Sequence, residues 1–160
     1  VEADDLGTQH SLLLSPEMYR SFLKPRHARI VSLIKKIAPG VKVFLHSCGA
    51  VRPLIPDFIE AGFDILNPVQ VAADGMESRQ LKKDFGDCLT FWGGGVDTQH
   101  TLPHGTPGQV ADEVRRHIED LAPGGGFVFN AIHNIQGDVP PQNIEAMFEA
   151  LRLYGDFDGG

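Results

Sequence analysis

The sharpest chemistry in this sequence lies in His46-Ser47-Cys48. An imidazole and a thiol stand two residues apart, and in an extended chain such residues point the same way. Imidazole nitrogen and thiolate sulfur converging on one point suit zinc. His133 is the candidate third ligand. One position would then stay open to substrate, as in a catalytic rather than a structural zinc site. The competing reading is packing, with Cys48 a buried thiol and His46 a hydrogen-bonded strand end. Asp4-Asp5 offers a general acid or base, a ligand, or a solvated strand end. His10, His27, His100, His104 and His117 lack such company and read as surface or capping residues. Cys88 reads as a buried structural thiol. The Gly93–Gly95 and Gly124–Gly126 triplets lack the spacing of a phosphate loop and read as tight turns.

The positions of these residues follow from the elements around them. Short apolar runs at 1–3, 42–45, 64–67, 89–92 and 126–129 read as strands. Helices are predicted from Ser15-Pro16, in a second stretch that Pro25 opens or kinks, with Ile30, Ile34 and Ile37 on one face, and over 53–61, 78–85, 107–121 and 141–154. The 141–154 helix carries Ile144, Met147, Phe148 and Leu151 on one stripe, and 100–106 reads as a plain loop. About five strands, each followed by a helix, imply an α/β chain with a parallel sheet, in either a doubly wound sheet or a (β/α) barrel. In both, chemistry gathers at the carboxyl ends of the strands. Those ends are Asp4-Asp5, His46 to Cys48, Asn67, Gly93 to Asp97, and Asn130 running into His133.

A length of 160 residues fits one domain, and 42% apolar residues suffice for a core. The net charge of −7, with no basic block, argues against a nucleic-acid partner. No apolar run reaches the ~20 residues that span a bilayer. The opening Val-Glu-Ala-Asp-Asp has no leader character and reads as the end of a strand, as if residues 1–160 formed one part of a longer protein. Two cysteines form no disulfide framework, so a cytoplasmic setting is expected.

A combination of segments carries a family resemblance. In order they are Asp4-Asp5-Leu6-Gly7-Thr8-Gln9, Leu45-His46-Ser47-Cys48-Gly49, Asp64-Ile65-Leu66-Asn67-Pro68-Val69-Gln70, Phe91-Trp92-Gly93-Gly94, Gly125 to Asn130 with His133-Asn134-Ile135, and Pro140-Pro141-Gln142-Asn143-Ile144. They resemble the C-terminal half of the uroporphyrinogen decarboxylase superfamily, over nearly the whole chain. The resemblance implies the C-terminal portion of a (β/α)8 TIM barrel. His46 and Cys48 resemble the zinc-binding, corrinoid-dependent methyltransferases of that superfamily. Their third ligand is usually a Cys near the last strand, where this chain has His133-Asn134, similar to the Gly-His-Gly loop of the decarboxylases.

The methyltransferase branch implies zinc-dependent methyl transfer to or from a corrinoid. A small-molecule methyl donor or acceptor and a corrinoid protein would be the partners. Zinc would be held by His46, Cys48 and His133. Asp4, Asp5 and His133 would handle protons, and Asn67, Gln70 and Asp97 would contact substrate. The decarboxylase branch implies a carboxy-lyase in which His133 contacts substrate. A third expectation is a non-catalytic half-barrel that pairs with a second copy as a homodimer, because five parallel strands leave two open edges.

Overall fold

The computed structural model describes residues 1–155. Its five strands are β1 (Glu2–Ala3), β2 (Phe44–His46), β3 (Ile65–Asn67), β4 (Thr90–Trp92) and β5 (Phe127–Val128). Between and after them come α1 (Pro16–Met18), α2 (Lys24–Ile37), α3 (Ile55–Ala61), α4 (Ser78–Phe85), α5 (Thr101–His104), α6 (Pro107–Leu121) and α7 (Pro141–Tyr154). All strand pairs are parallel, and the sheet order β1-β2-β3-β4-β5 repeats the chain order. A doubly wound sheet reverses its order at a switch point. Here there is no reversal, so the sheet is part of a TIM-barrel wall.

Local sequence sets most boundaries. Ser15 Oγ accepts the Met18 N–H at 3.2 Å and caps α1. Thr106 and Gln109 form a reciprocal capping box before α6. Gly62 ends α3 at φ +96°, a conformation that favours glycine. The helical stretch that Pro25 opens or kinks runs on from α1 through a wide turn at Tyr19–Leu23, which is the kink. Pro25 has no N–H for the Ser21 carbonyl, and the widened turn absorbs that gap.

Strand alternation sorts the side chains between two faces. Leu45, Leu66 and Phe91 are register neighbours and fully buried. They pack with Leu54, Ile55, Phe58, Leu81 and Leu121 in the main core. A second cluster joins α6 to α7 through Val110, Val114, Ile118, Met147 and Ala150, and Phe127 bridges the two. The opposite sheet face carries Phe44, His46, Ile65, Asn67, Thr90 and Trp92. Phe44 meets Trp92 edge-on at 5.5 Å, and Trp92 remains 36% exposed. That face corresponds to a barrel's interior.

Several expectations need correction. The 100–106 loop contains α5, whose four residues are too short for a periodic signal. α2 buries His27 and Val31, while Ile30 and Ile37 are exposed. α7 buries Asn143, Ala146, Met147 and Ala150 and leaves Phe148 in solvent. Asn143 is buried because its amide donates to the carbonyls of Leu102 and Gly105, both at 2.8 Å. His27 and His117 are buried, and Cys88 is exposed. Both cysteines are free thiols. Among the described residues no helix is long and apolar enough to cross a membrane.

Candidate metal centre and cleft at the strand ends

Register creates the centre. Ala3 pairs with His46, and His46 pairs with Asn67, so the last rungs of β1, β2 and β3 are level. His46 Nδ1 lies 2.7 Å from Asn67 Oδ1, and Asn67 Nδ2 donates to the Trp92 carbonyl at 3.0 Å. The other ring nitrogen, Nε2, lies 3.6 Å from Cys48 Sγ and 3.8 Å from Asp5 Oδ1. Asp5 Oδ1 also accepts the Cys48 N–H at 2.9 Å. One ligand atom from each of Asp5, His46 and Cys48 falls within 4.8 Å of the others.

The loops after β1 and β2 are clamped together. The Leu6 N–H donates to buried Ser47 Oγ at 3.2 Å, and the Ala50 N–H donates to the Thr8 carbonyl at 2.8 Å. Gly49 sits at φ +90°, and a Cβ there would meet the Gly7 carbonyl carbon at 2.4 Å. Only glycine permits this approach. Gln70 tightens the same loop: its Oε1 accepts the Gly49 N–H at 2.8 Å and its Nε2 donates to Gln9 Oε1 at 2.9 Å.

Cys48 is half-buried, and its thiol is pushed up to about 11. Burial is the larger cause. The Asp5 charge and its contact with the thiol add to it. Carboxylate and thiolate oppose each other here, and a divalent cation reverses that opposition. Mixed O, N and S donors of this kind fit zinc. Cys48 also opens onto a cleft of about 450 Å³, lined among others by Thr8, Gln70, Thr98, Gln99, His133 and Asn134.

The residues expected at the rim thus separate. Asp5, His46 and Cys48 come together. His133 is exposed and lines the same cleft, but among the described residues it is not part of the close ligand group. Asp4 turns to the helix side, because strand alternation sets neighbouring Asp4 and Asp5 on opposite faces. There its Oδ2 meets buried His27 Nε2 at 2.9 Å, and His27 Nδ1 meets the Tyr19 hydroxyl at 2.9 Å. Burial, foremost, holds the Tyr19 hydroxyl protonated far above its usual range. Asp97 lies on the rim, yet its carboxylate accepts from Gln99 N and His100 Nδ1, both at 2.8 Å. It lines a separate cavity with Glu113 and His117. The amides of Asn67 and Gln70 hydrogen-bond to protein partners, and Gln70 also lines the cleft. The sequence reading missed Thr98, Gln99 and Gln136 as cleft residues. Their place just beyond β4 and β5 was the available signal.

Comparison with known proteins now adds to this geometry. The family description "Uroporphyrinogen decarboxylase (URO-D)" matches residues 3–154. The methylcobamide:CoM methyltransferase of Methanosarcina barkeri is 28% identical over 146 residues, which covers 89% of this chain and 38% of that protein. The methylated-thiol–coenzyme M methyltransferase of Methanosarcina mazei is 28% identical over 142 residues, covering 89% and 35%. The uroporphyrinogen decarboxylase of Pseudoalteromonas translucida is 34% identical over 73 residues, covering 46% and 20%. A solved methyltransferase from Methanosarcina mazei shares the fold, with a TM-score of 0.72 at 24% identity, covering 96% of this chain and 41% of its own. The chain therefore spans well under half the length of each of these relatives.

Proposed function

The chain belongs to the uroporphyrinogen decarboxylase (URO-D) family, and on that premise we propose that it serves zinc-dependent methyl transfer to or from a corrinoid. The grouping of Asp5, His46 and Cys48 carries this reading. These residues would hold the zinc, with Asp5 rather than His133 as the third ligand. When bound there, zinc supplies a Lewis acid that keeps a thiol ionised at neutral pH or polarises a C–O bond.

The other residues prepare the cleft. Cys48 faces it, so substrate enters beside the ligand group. Thr98, Gln99 and Asn134 offer uncharged hydrogen-bonding groups. His133 lines the cleft and would contact the substrate there. Two relatives named as coenzyme M methyltransferases support a small methyl donor or acceptor, and a corrinoid protein is the expected partner.

A decarboxylase-like carboxy-lyase is the second reading. The 34% identical stretch and the freedom of His133 from the ligand group favour it. The two readings separate in one assay. Zinc-loaded protein is incubated anaerobically with methylcobalamin and a thiol, and the loss of the methyl–cobalt absorbance is followed. The methyl-transfer reading predicts turnover that falls at least 100-fold in Cys48→Ala and in His46→Ala. No transfer, together with CO2 release from a porphyrinogen, would replace it by the second reading.

A further inference from the structure

We infer that Asn67 sets the tautomer of His46 and thereby aims the Nε2 lone pair at Cys48 and Asp5. Its use in catalysis rests on the metal-centre reading above; the tautomer itself does not. The Trp92 carbonyl can only accept a hydrogen bond. The Asn67 atom facing it at 3.0 Å is therefore the amide nitrogen. That leaves Oδ1 facing His46 Nδ1 at 2.7 Å, and Oδ1 can only accept. His46 must donate from Nδ1. A neutral imidazole carries one N–H, so Nε2 is left with its lone pair. The opposite tautomer would set two acceptors face to face at 2.7 Å.

Backbone geometry makes this grip rigid. Asn67 is 9% exposed and is the register partner of His46 in the adjacent strand. Its own carbonyl accepts the Ser47 N–H at 2.7 Å. One residue thus fixes the ring of position 46 and the main chain of position 47. Nε2 then lies within 4 Å of both Cys48 Sγ, at 3.6 Å, and Asp5 Oδ1, at 3.8 Å. Asn67 is a positioning residue; it acts through His46.

Long-range 1H–15N NMR on metal-free, histidine-labelled protein reads the tautomer directly, with His46 assigned by signal loss in His46→Gln. At a pH high enough to leave the ring neutral, the expected result is Nδ1–H with a bare Nε2. Asn67→Leu should shift His46 toward Nε2–H or a mixture. Zinc affinity, measured by chelator competition, should fall about 10- to 100-fold in N67L. Nε2–H on the neutral ring of the unsubstituted protein, or an unchanged tautomer in folded N67L, would overturn the inference. The first of these needs no variant, so misfolding of N67L leaves the matter decidable. The expected tautomers in a protein that takes up no zinc would uphold the role of Asn67 and overturn the metal-centre reading instead.

Discussion

At the scale of single residues, the centre depends on charges that do not balance among themselves. Burial, with Asp5 second, pushes the Cys48 thiol up to about 11. In the metal-free protein at pH 8 about a thousandth of Cys48 is then thiolate, the form that alkylates. Alkylation of Cys48 by iodoacetamide should rise about tenfold per pH unit between pH 8 and 10, and lag behind exposed Cys88 at pH 8. Asp5→Asn should quicken it by removing the neighbouring charge. Mass spectrometry of the two peptides checks this, and equal rates at Cys48 and Cys88 would contradict it. The period-two spacing of His46 and Cys48 made their convergence legible in the sequence. The joining of Asp5 was not, because it depends on the pairing of Ala3 with His46, which no local pattern displays. Asp97 shows the converse: a rim position fixes the backbone, while the side chain turned to Gln99 and His100.

At the scale of elements, the loops after β1 and β2 act as one clamp. Gly49 holds them together at φ +90°, with the Gly7 backbone where a Cβ would stand. Gly49→Ala should destabilise the protein by about 2 kcal/mol or more, from backbone strain and steric displacement together. Gly137→Ala, where an added Cβ meets nothing within 4 Å, should stay within about 0.5 kcal/mol. Urea denaturation of both variants tests this; equal losses would remove the clamp from the account. Helix ends were the most legible elements, since Thr106-Pro107, Pro141 and Gly62 carry their caps in their own residue types. Helix faces were less so. Ile37 and Phe148 look like core residues but lie 75% and 57% exposed, because strand and helix neighbours rather than periodicity decide which stripe is covered.

At the scale of the whole molecule, five sequential parallel strands give an open stretch of barrel wall, and its interior face bears the site. β1 and β5 end the sheet, and α2 and α7 leave Leu33, Ile37, Phe148 and Leu153 exposed. The three candidate ligands come from two adjacent strand ends inside this chain, so the proposal predicts that the chain binds zinc by itself. The direct test is zinc stoichiometry of the purified 160-residue chain by elemental analysis after dialysis against buffered zinc. The account predicts one zinc per chain, retained in His133→Ala and lost in Asp5→Ala, His46→Ala and Cys48→Ala. Absence of zinc from the unsubstituted chain, or its loss in His133→Ala with retention in Asp5→Ala, would contradict it.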